Sequence, residues 1–207
     1  RKESFWSERL NEQVINPALS IHDDGLLEGG MASGSRDAEG VPRRHQNLVK
    51  NGRLTNMLWS ARDAAQQVAE GRTDAASSTG SANSGGHQSP PSTGCTELFL
   101  TTNEATHSWD QLLEQMGEGY VVNSVMGAHT ANPTSGDFSV TTSAILKVVD
   151  GEVVGALKQA GLSGNLAKAM NGQVVLGKDV RRQGSYSSGS MHLPDVLLMD
   201  GLRINPA

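Results

Sequence analysis

The chain has a single cysteine, Cys95, among its 207 residues. An internal disulfide is therefore excluded, and so is a zinc site built mainly from cysteine. Aromatic residues make up only 4% of the sequence, so stacking platforms for single-stranded nucleic acid are scarce and the core must rest on Val, Leu, Ile, Ala and Met. Cations are also in deficit: the formal net charge is −5, and Arg43-Arg44 and Arg181-Arg182 are pairs too small to make a patch. Counterion release needs clustered Lys and Arg, so direct nucleic-acid binding is disfavoured. No apolar run is long enough to span a bilayer and no secretory leader is visible, so no membrane role and a cytoplasmic location are expected. The chain opens at Arg1 instead of Met, and an amino-terminal domain of the natural protein is expected to be missing.

Several catalytic signatures are absent as well. There is no His-Glu-x-x-His, no Walker-type phosphate loop and no Gly-x-Ser-x-Gly elbow. The six histidines, His22, His45, His87, His107, His129 and His192, include no pair at helical i, i+3 or i+4 spacing. A metal site made by this chain alone is not expected. Cys95 borders a flexible-looking tract and reads as inert.

What is present is a succession of turn signals between short apolar segments. Residues 12 to 21 look extended, with Pro17 at an edge or boundary. Residues 34 to 47 are loop-like. His22-Asp23-Asp24-Gly25 fits a turn after a strand ending near Ile21, and Arg36 to Gly40 fits a solvated loop. Asn51-Gly52 favours a type I′ hairpin between Leu48-Val49 and Leu54. Met57 to Val68 has helical periodicity with Gly71 as a stop. Residues 72 to 94 are Ser-, Thr-, Gly- and Asn-rich with Pro90-Pro91, which predicts a flexible loop.

Beyond residue 96 the pattern becomes regular. Leu98 to Leu100 reads as a buried strand, Ser108 to Met116 as a serine-capped helix, and Gly119 to Val125 as a strand. Phe138 to Val149, Asp150-Gly151 and Glu152 to Leu157 form a hairpin. Ser163-Gly164-Asn165 opens a helix to about Met170, Val174 to Leu176 is a strand, and Val196 to Ile204 closes the chain as a hairpin around Asp200-Gly201. Many hairpins with a few short helices predict an α+β fold of mainly antiparallel sheet.

The densest run of turn-forming residues is Met126 to Ser139. Gly127 and Gly136 can take positive φ, Pro133 pushes Asn132 toward an extended conformation, and Asn132, Ser135 and Asp137 can bond nearby amides. His129 can act there as acid, base or ligand, or simply bond a carbonyl, while Asp137 caps a turn.

This run resembles a signature of the TldD/PmbA family, once called modulators of DNA gyrase and understood as subunits of a metal-dependent protease that processes peptides. Other segments resemble the family in the same order: Ser20 to Gly25, Asp37 to Pro42, Leu48 to Leu54, Gly151 to Val154, Gly161 to Leu166, and Gly189-Ser190 with Leu193-Pro194. The last of these looks closer to the PmbA (TldE) branch. In the TldD branch, a helix with His-Glu-x-x-x-His and a cysteine near the carboxy terminus hold the metal. This sequence begins after the place of that helix, and Gly177 to Pro194 holds no cysteine.

The resemblance therefore implies a non-metal-binding, TldE-type subunit of a heterodimeric peptidase, with no cofactor in this chain. The metal, zinc by expectation, would sit on a TldD-like catalytic partner. Gly127, His129, Asn132, Gly136, Asp137, Gly161, Gly164 and Asn165 are the implied groove or interface residues for an extended or unfolded peptide. A homodimer of the isolated chain is also open, as are an autonomous metalloprotease with ligands upstream of Arg1 and a non-enzymatic modulator of gyrase or of a toxin–antitoxin system.

Overall fold

A computed structural model describes residues 4–71, 77–184 and 189–206. The strands are β1 (Leu19–Asp24), β2 (His45–Lys50), β3 (Arg53–Leu54), β4 (Ala82–Asn83), β5 (Ser92–Thr93), β6 (Glu97–Thr102), β7 (Gly119–Val122), β8 (Val125–Met126), β9 (Asp137–Val149), β10 (Glu152–Asn165), β11 (Val174–Gly184), β12 (Ser190–Leu198) and β13 (Leu202–Pro206). The helices are α1 (Ala61–Ala69), α2 (Trp109–Met116) and α3 (Leu166–Asn171), with a 3-10 turn at Ala128–Thr130. β1–β2, β2–β3, β4–β5, β7–β9, β8–β9, β9–β10 and β10–β13 pair antiparallel, and β6–β12 pair parallel. The fold is α+β, as its turn signals imply.

The chain forms two compact units. The first comprises residues 1–18, 102–179 and 194–207. Its sheet runs β13-β10-β9-β7, with β8 also on β9. The β9–β10 hairpin forms because Asp150 and Gly151 both adopt positive φ, at 52° and 76°, the backbone a type I′ turn requires. Helix α2 starts at Ser108, whose hydroxyl accepts from the Gln111 amide while Gln111 returns a bond to the Ser108 amide. Val14, Ile15, Leu112, Leu113, Ile145, Val148, Leu162 and Leu176 are buried here. This interior is almost wholly apolar.

The second unit comprises residues 19–101 and 180–193. It carries strands of a sheet ordered β11-β12-β6-β1-β2-β3, in which β11 and β12 are shared in sequence with the first unit. Asn51 and Gly52 turn β2 into β3 with φ of 48° and 75°. Its interior differs in kind. Beside Leu19, Val49, Leu54, Ala64 and Ala82, it buries Asp23, Gln46, Ser60, Gln67, Thr79, Ser81, Thr96, Glu97 and Ser190. Such groups are tolerated inside only when hydrogen-bonded.

Several sequence expectations are corrected here. His22-Asp23-Asp24 is strand, not turn, because Asp23 points inward and takes the Thr96 and Glu97 amides at 2.7 and 3.0 Å. Residues 45 to 47 belong to β2, although polar. Asp37 is buried: Oδ1 accepts from the Glu39 and Val41 amides at 2.9 Å and Oδ2 from Ala82 at 3.0 Å. Arg36 to Gly40 is thus a fixed turn. Residues 72–76 of the tract read as a flexible loop lie outside the described residues; in the remainder, β4 pairs with β5 and Thr79 and Ser81 are buried. Side-chain hydroxyls do the anchoring that large apolar groups do elsewhere, with Ser81 bonded to Gln46 at 3.0 Å and Thr79 to the Trp59 carbonyl at 3.1 Å. The closing hairpin does not form, because β13 pairs with β10 instead of β12. The turn at Gly201, φ 76°, passes the chain from one sheet to another.

Candidate functional site

The loop 126–139 folds into a hydrogen-bonded knot in the first unit. Asn132 Oδ1 accepts from the Thr134 and Ser135 amides at 2.9 and 3.2 Å, and the Gly136 amide donates to the Asn132 carbonyl at 2.8 Å. Gly136 sits at φ 79°, the left-handed region that glycine enters without a Cβ clash. Its carbonyl receives the Leu166 amide at 2.8 Å, which ties the loop to the start of α3.

Asn165 is the other half of that tie. Its Oδ1 caps α3 by accepting from the Lys168 amide at 3.0 Å, and its Nδ2 donates to the Ser135 carbonyl at 2.9 Å and to Asp137 Oδ1 at 2.7 Å. The bonds from Asn165 and Ser135 hold the exposed Asp137 carboxyl below the usual aspartate range. Gly164 has a packing role: a Cβ there would lie 2.3 Å from the Gly201 carbonyl oxygen and 2.9 Å from Leu202. Gly161 is not so confined, its nearest such contact being Asn205 at 3.9 Å. Gly127, φ 87°, precedes the 3-10 turn that carries His129 to the surface. Six of the eight nominated residues, Gly127, His129, Asn132, Gly136, Asp137 and Asn165, thus belong to the loop or to the capped helix start tied to it, while Gly161 and Gly164 lie in β10 leading into it.

A second cluster, in the second unit, escaped sequence reasoning. Four strands bring His45, His22, Phe99 and His192 into one ladder. His22 stacks on Phe99 with ring centroids 4.8 Å apart and planes 8° from parallel, and Phe99 stacks on His192 at 4.1 Å and 10°. His45 lies 4.9 Å from His22, tilted by 41°. Beneath the end of the ladder, the fully buried Glu97 accepts from His192 Nε2 at 2.8 Å, from the Ala32 amide at 2.9 Å and from the Ser190 hydroxyl. Burial opposes the ionisation of Glu97, but the bonds from Ala32, Ser190 and His192 outweigh it and hold its carboxyl below the ordinary range. Burial lowers His22, with the nearby His45 adding to the effect. Helical spacing rules do not find such a group, because histidines on neighbouring strands meet by register. The available signal was a period-2 reading of His22 and Phe99 as outward positions on two strands.

A cavity of about 550 Å³ lies in the first unit, lined by Trp109, Leu112, Met116, Tyr120, Leu162 and Ile204 among others. Among its lining residues, only Glu118 and Asp195 carry charge. No residue nominated from the sequence lines it.

The sequence family described as the PmbA/TldA metallopeptidase C-terminal domain matches residues 1–204. The chain belongs to the PmbA/TldD family. It is 30% identical over 191 residues to an uncharacterized protein of Methanocaldococcus jannaschii, covering 92% of this chain and 42% of that one. It is 28% identical to the metalloprotease PmbA of Escherichia coli O157:H7, covering 95% of this chain and 39% of that one. Among solved structures, a Thermotoga maritima protein described as a modulator of a DNA gyrase superposes with a TM-score of 0.77 at 28% identity, covering all of this chain and 43% of that one. The fold is also that of TldE from Thermococcus kodakarensis, at a TM-score of 0.81 and 20% identity, covering 99% and 45%. The chain spans about two-fifths of the length of these relatives.

A family of metallopeptidases raises the question of a metal on this chain, and the donor geometry among the described residues does not fit one. Phe99 lies between the His22 and His192 rings, and His192 is turned onto Glu97. Among the described residues, no three His, Cys, Asp or Glu side chains converge as metal ligands. Cys95 is in no disulfide, and burial and then the charge of Asp23 push its thiol up, the opposite of an activated ligand. Among the described residues, no helix is long and apolar enough to cross a membrane.

Proposed function

We propose that this chain is the carboxy-terminal part of a PmbA-type, or TldE-type, subunit of a heterodimeric metal-dependent peptidase, acting beside a TldD-like catalytic subunit that holds the metal. The observation that carries this reading is the histidine ladder. In the gathering of imidazoles among the described residues, His22 and His192 stack on Phe99 and His192 bonds to Glu97, so these two serve as sheet structure and not as an open ligand set. Relatives named PmbA and a relative named TldD both match the chain, which supports a family with two kinds of subunit. Within this reading, the knot of Asn132, Gly136, Asp137 and Asn165, with His129 and Gly127 on its outer turn and Gly161 and Gly164 leading into it, supplies a preformed wall of the peptide channel or of the subunit interface. Its rigidity favours extended peptide, since a wall fixed in advance loses little entropy on binding.

The test is co-purification of the longer natural protein from its own cells, with metal analysis of the eluate. The expected result is a second chain bearing His-Glu-x-x-x-His, about one metal per pair, and metal retention in the His22→Ala and His192→Ala variants. Metal bound to this protein alone and lost in those variants would overturn the proposal and make the chain its own catalyst. Recovery without metal but with gyrase would favour the modulator reading instead.

A further inference from the structure

Both ends of the histidine ladder are tied to one loop of the second unit, residues 25–34. At the His45 end, the Gly25 amide donates to the Arg44 carbonyl at 3.1 Å and the Arg43 amide to the Ser35 carbonyl at 3.2 Å. At the His192 end, the Ala32 amide donates to Glu97 Oε1 at 2.9 Å, and a Cβ on Gly30 would lie 2.9 Å from the same oxygen. The Arg182 guanidinium adds a contact to the Gly29 carbonyl at 3.3 Å. Between its two anchors the loop exposes Leu26 and Met31.

A bulge brings the outer two imidazoles together. Ile21 faces Val49 but His22 faces Asn47, so Leu48 has no partner on β1. The shift sets His45, opposite Asp24, on the face that carries His22; an unbulged register would turn His45 to the other face. That register is held from elsewhere, since the buried Gln46 donates to Ser81 at 3.0 Å and the Leu48 carbonyl takes the Thr55 amide at 2.8 Å. Slipping the strand to separate the rings would break these bonds.

His22 is enclosed by rings. His45 lies 4.9 Å from it and Phe99 4.8 Å, with His192 beyond Phe99. The nearby carboxylates are engaged with other groups: Asp24 lies 3.7 Å from His45, Glu97 bonds His192, and Asp23 accepts the Thr96 and Glu97 amides. Strand β2 adds one further charge, Lys50, and β6 none besides Glu97. His22 is thus the histidine of the ladder without an ion pair among the described residues. Burial and then His45 hold its imidazole below the ordinary 6.5, against the opposing pull of Asp24 and Asp23.

We infer that the ladder is a proton-operated latch on the 25–34 loop: a proton on His22 drives His45 away, parts the Asp24–His45 end of β1 and β2, and releases Gly25 from Arg44. The latch is closed while His22 is neutral, above its ordinary 6.5, and opens as pH falls through the lowered folded value. Beyond the bulge, Ile21 stays paired with Val49, so the opening is local and not a melting of the sheet. Such a device goes beyond the proposed function and does not depend on which subunit holds metal.

Hydrogen exchange of the longer natural protein tests the latch, read by mass spectrometry in peptides covering residues 25–34 at about pH 7.5 and about pH 5.5 and corrected for the chemical exchange rate. The loop is expected to exchange severalfold faster at the lower pH, while peptides from β9 and β10 keep their protection. His22→Gln should abolish the acceleration and His45→Gln should reduce it. If His22→Gln does not fold, His22→Phe keeps a ring to stack on Phe99 without a proton to bind and gives the same reading. Equal corrected exchange at both pH values would overturn the inference. So would an acceleration that persists without an imidazole at position 22, or one shared by every peptide, which reports global unfolding.

Discussion

At the scale of single residues, the polar interior of the second unit is the part of the molecule that sequence patterning conceals. Glu97 sits between Thr96 and Leu98, where a strand reading marks the leucines and Phe99 as core, yet Glu97 is the fully buried side chain and Leu98 to Leu100 are half-buried. A carboxylate earns such a position only by its bonds, and Glu97 anchors the Ala32 amide, the Ser190 hydroxyl and His192 at once. Glu97→Ala is expected to destabilise the fold by about 2–4 kcal/mol, because it removes the acceptor of the buried Ser190 hydroxyl and of the half-buried Ala32 amide and His192 ring. Urea unfolding monitored by tryptophan fluorescence measures it. Two of the lowered groups, Glu97 and His22, lie at the histidine ladder and make separate contributions to the pH dependence. Folded Glu97 and folded His22 both bind protons less readily than in the unfolded chain, so the unfolded state gains protons first as pH falls. The His22 contribution is complete above its ordinary value of 6.5 and declines as pH falls from there toward its lowered value. The Glu97 contribution is complete above its ordinary 4.5 and is lost as pH falls through its lowered folded value. His22→Gln should flatten the upper limb of the stability profile alone; an unchanged upper limb would show that His22 does not set it.

At the scale of elements, turns were legible where two residues decide the backbone, and pairings were not. Asn51-Gly52 and Asp150-Gly151 give hairpins because both positions need positive φ, which these residues adopt. Asp200-Gly201 turns the chain equally well, yet β12 and β13 then join different sheets, since Leu202 to Pro206 finds the free flank of β10. A local signal fixes a reversal but not what the returning strand meets. The start of α3 illustrates the same division: Asn165 was legible as a helix opener, whereas its side-chain bonds to Ser135 and Asp137 depend on a loop about thirty residues away. Asn165→Ala is expected to cost about 1–2 kcal/mol, the range for a lost N-cap side chain. Asn165→Asp keeps the capping oxygen but sets a second carboxylate against Asp137. Its deficit relative to wild type should therefore shrink as pH falls and one carboxyl takes a proton. Thermal unfolding of both variants at neutral and acidic pH reads the difference; equal deficits at every pH would show that the Asp137 contact is not formed.

At the scale of the whole molecule, family membership and candidate site rest on different grounds. Membership follows from the family match over residues 1–204, nearly the whole chain. The eight candidate residues are mostly a structural knot, and their geometry is explained by turn, cap and strand packing alone. Function must therefore be sought in what the knot presents outward, not in what holds it together. His129 separates the two roles. It is exposed at the tip of the 3-10 turn, away from the bonds that fix Asn132, Gly136 and Asn165. His129→Ala should leave stability within about 0.5 kcal/mol of wild type, as surface changes generally do. If the loop walls the peptide channel, the same variant, assembled with a TldD-like partner, should turn over peptide severalfold more slowly at unchanged metal content. If the loop belongs to the subunit interface, the loss should appear in assembly and be recovered at high subunit concentration. Turnover and assembly both equal to wild type in His129→Ala and in Asp137→Ala would remove the loop from the site and leave the apolar cavity lined by Trp109, Tyr120 and Leu162 as the next surface to probe.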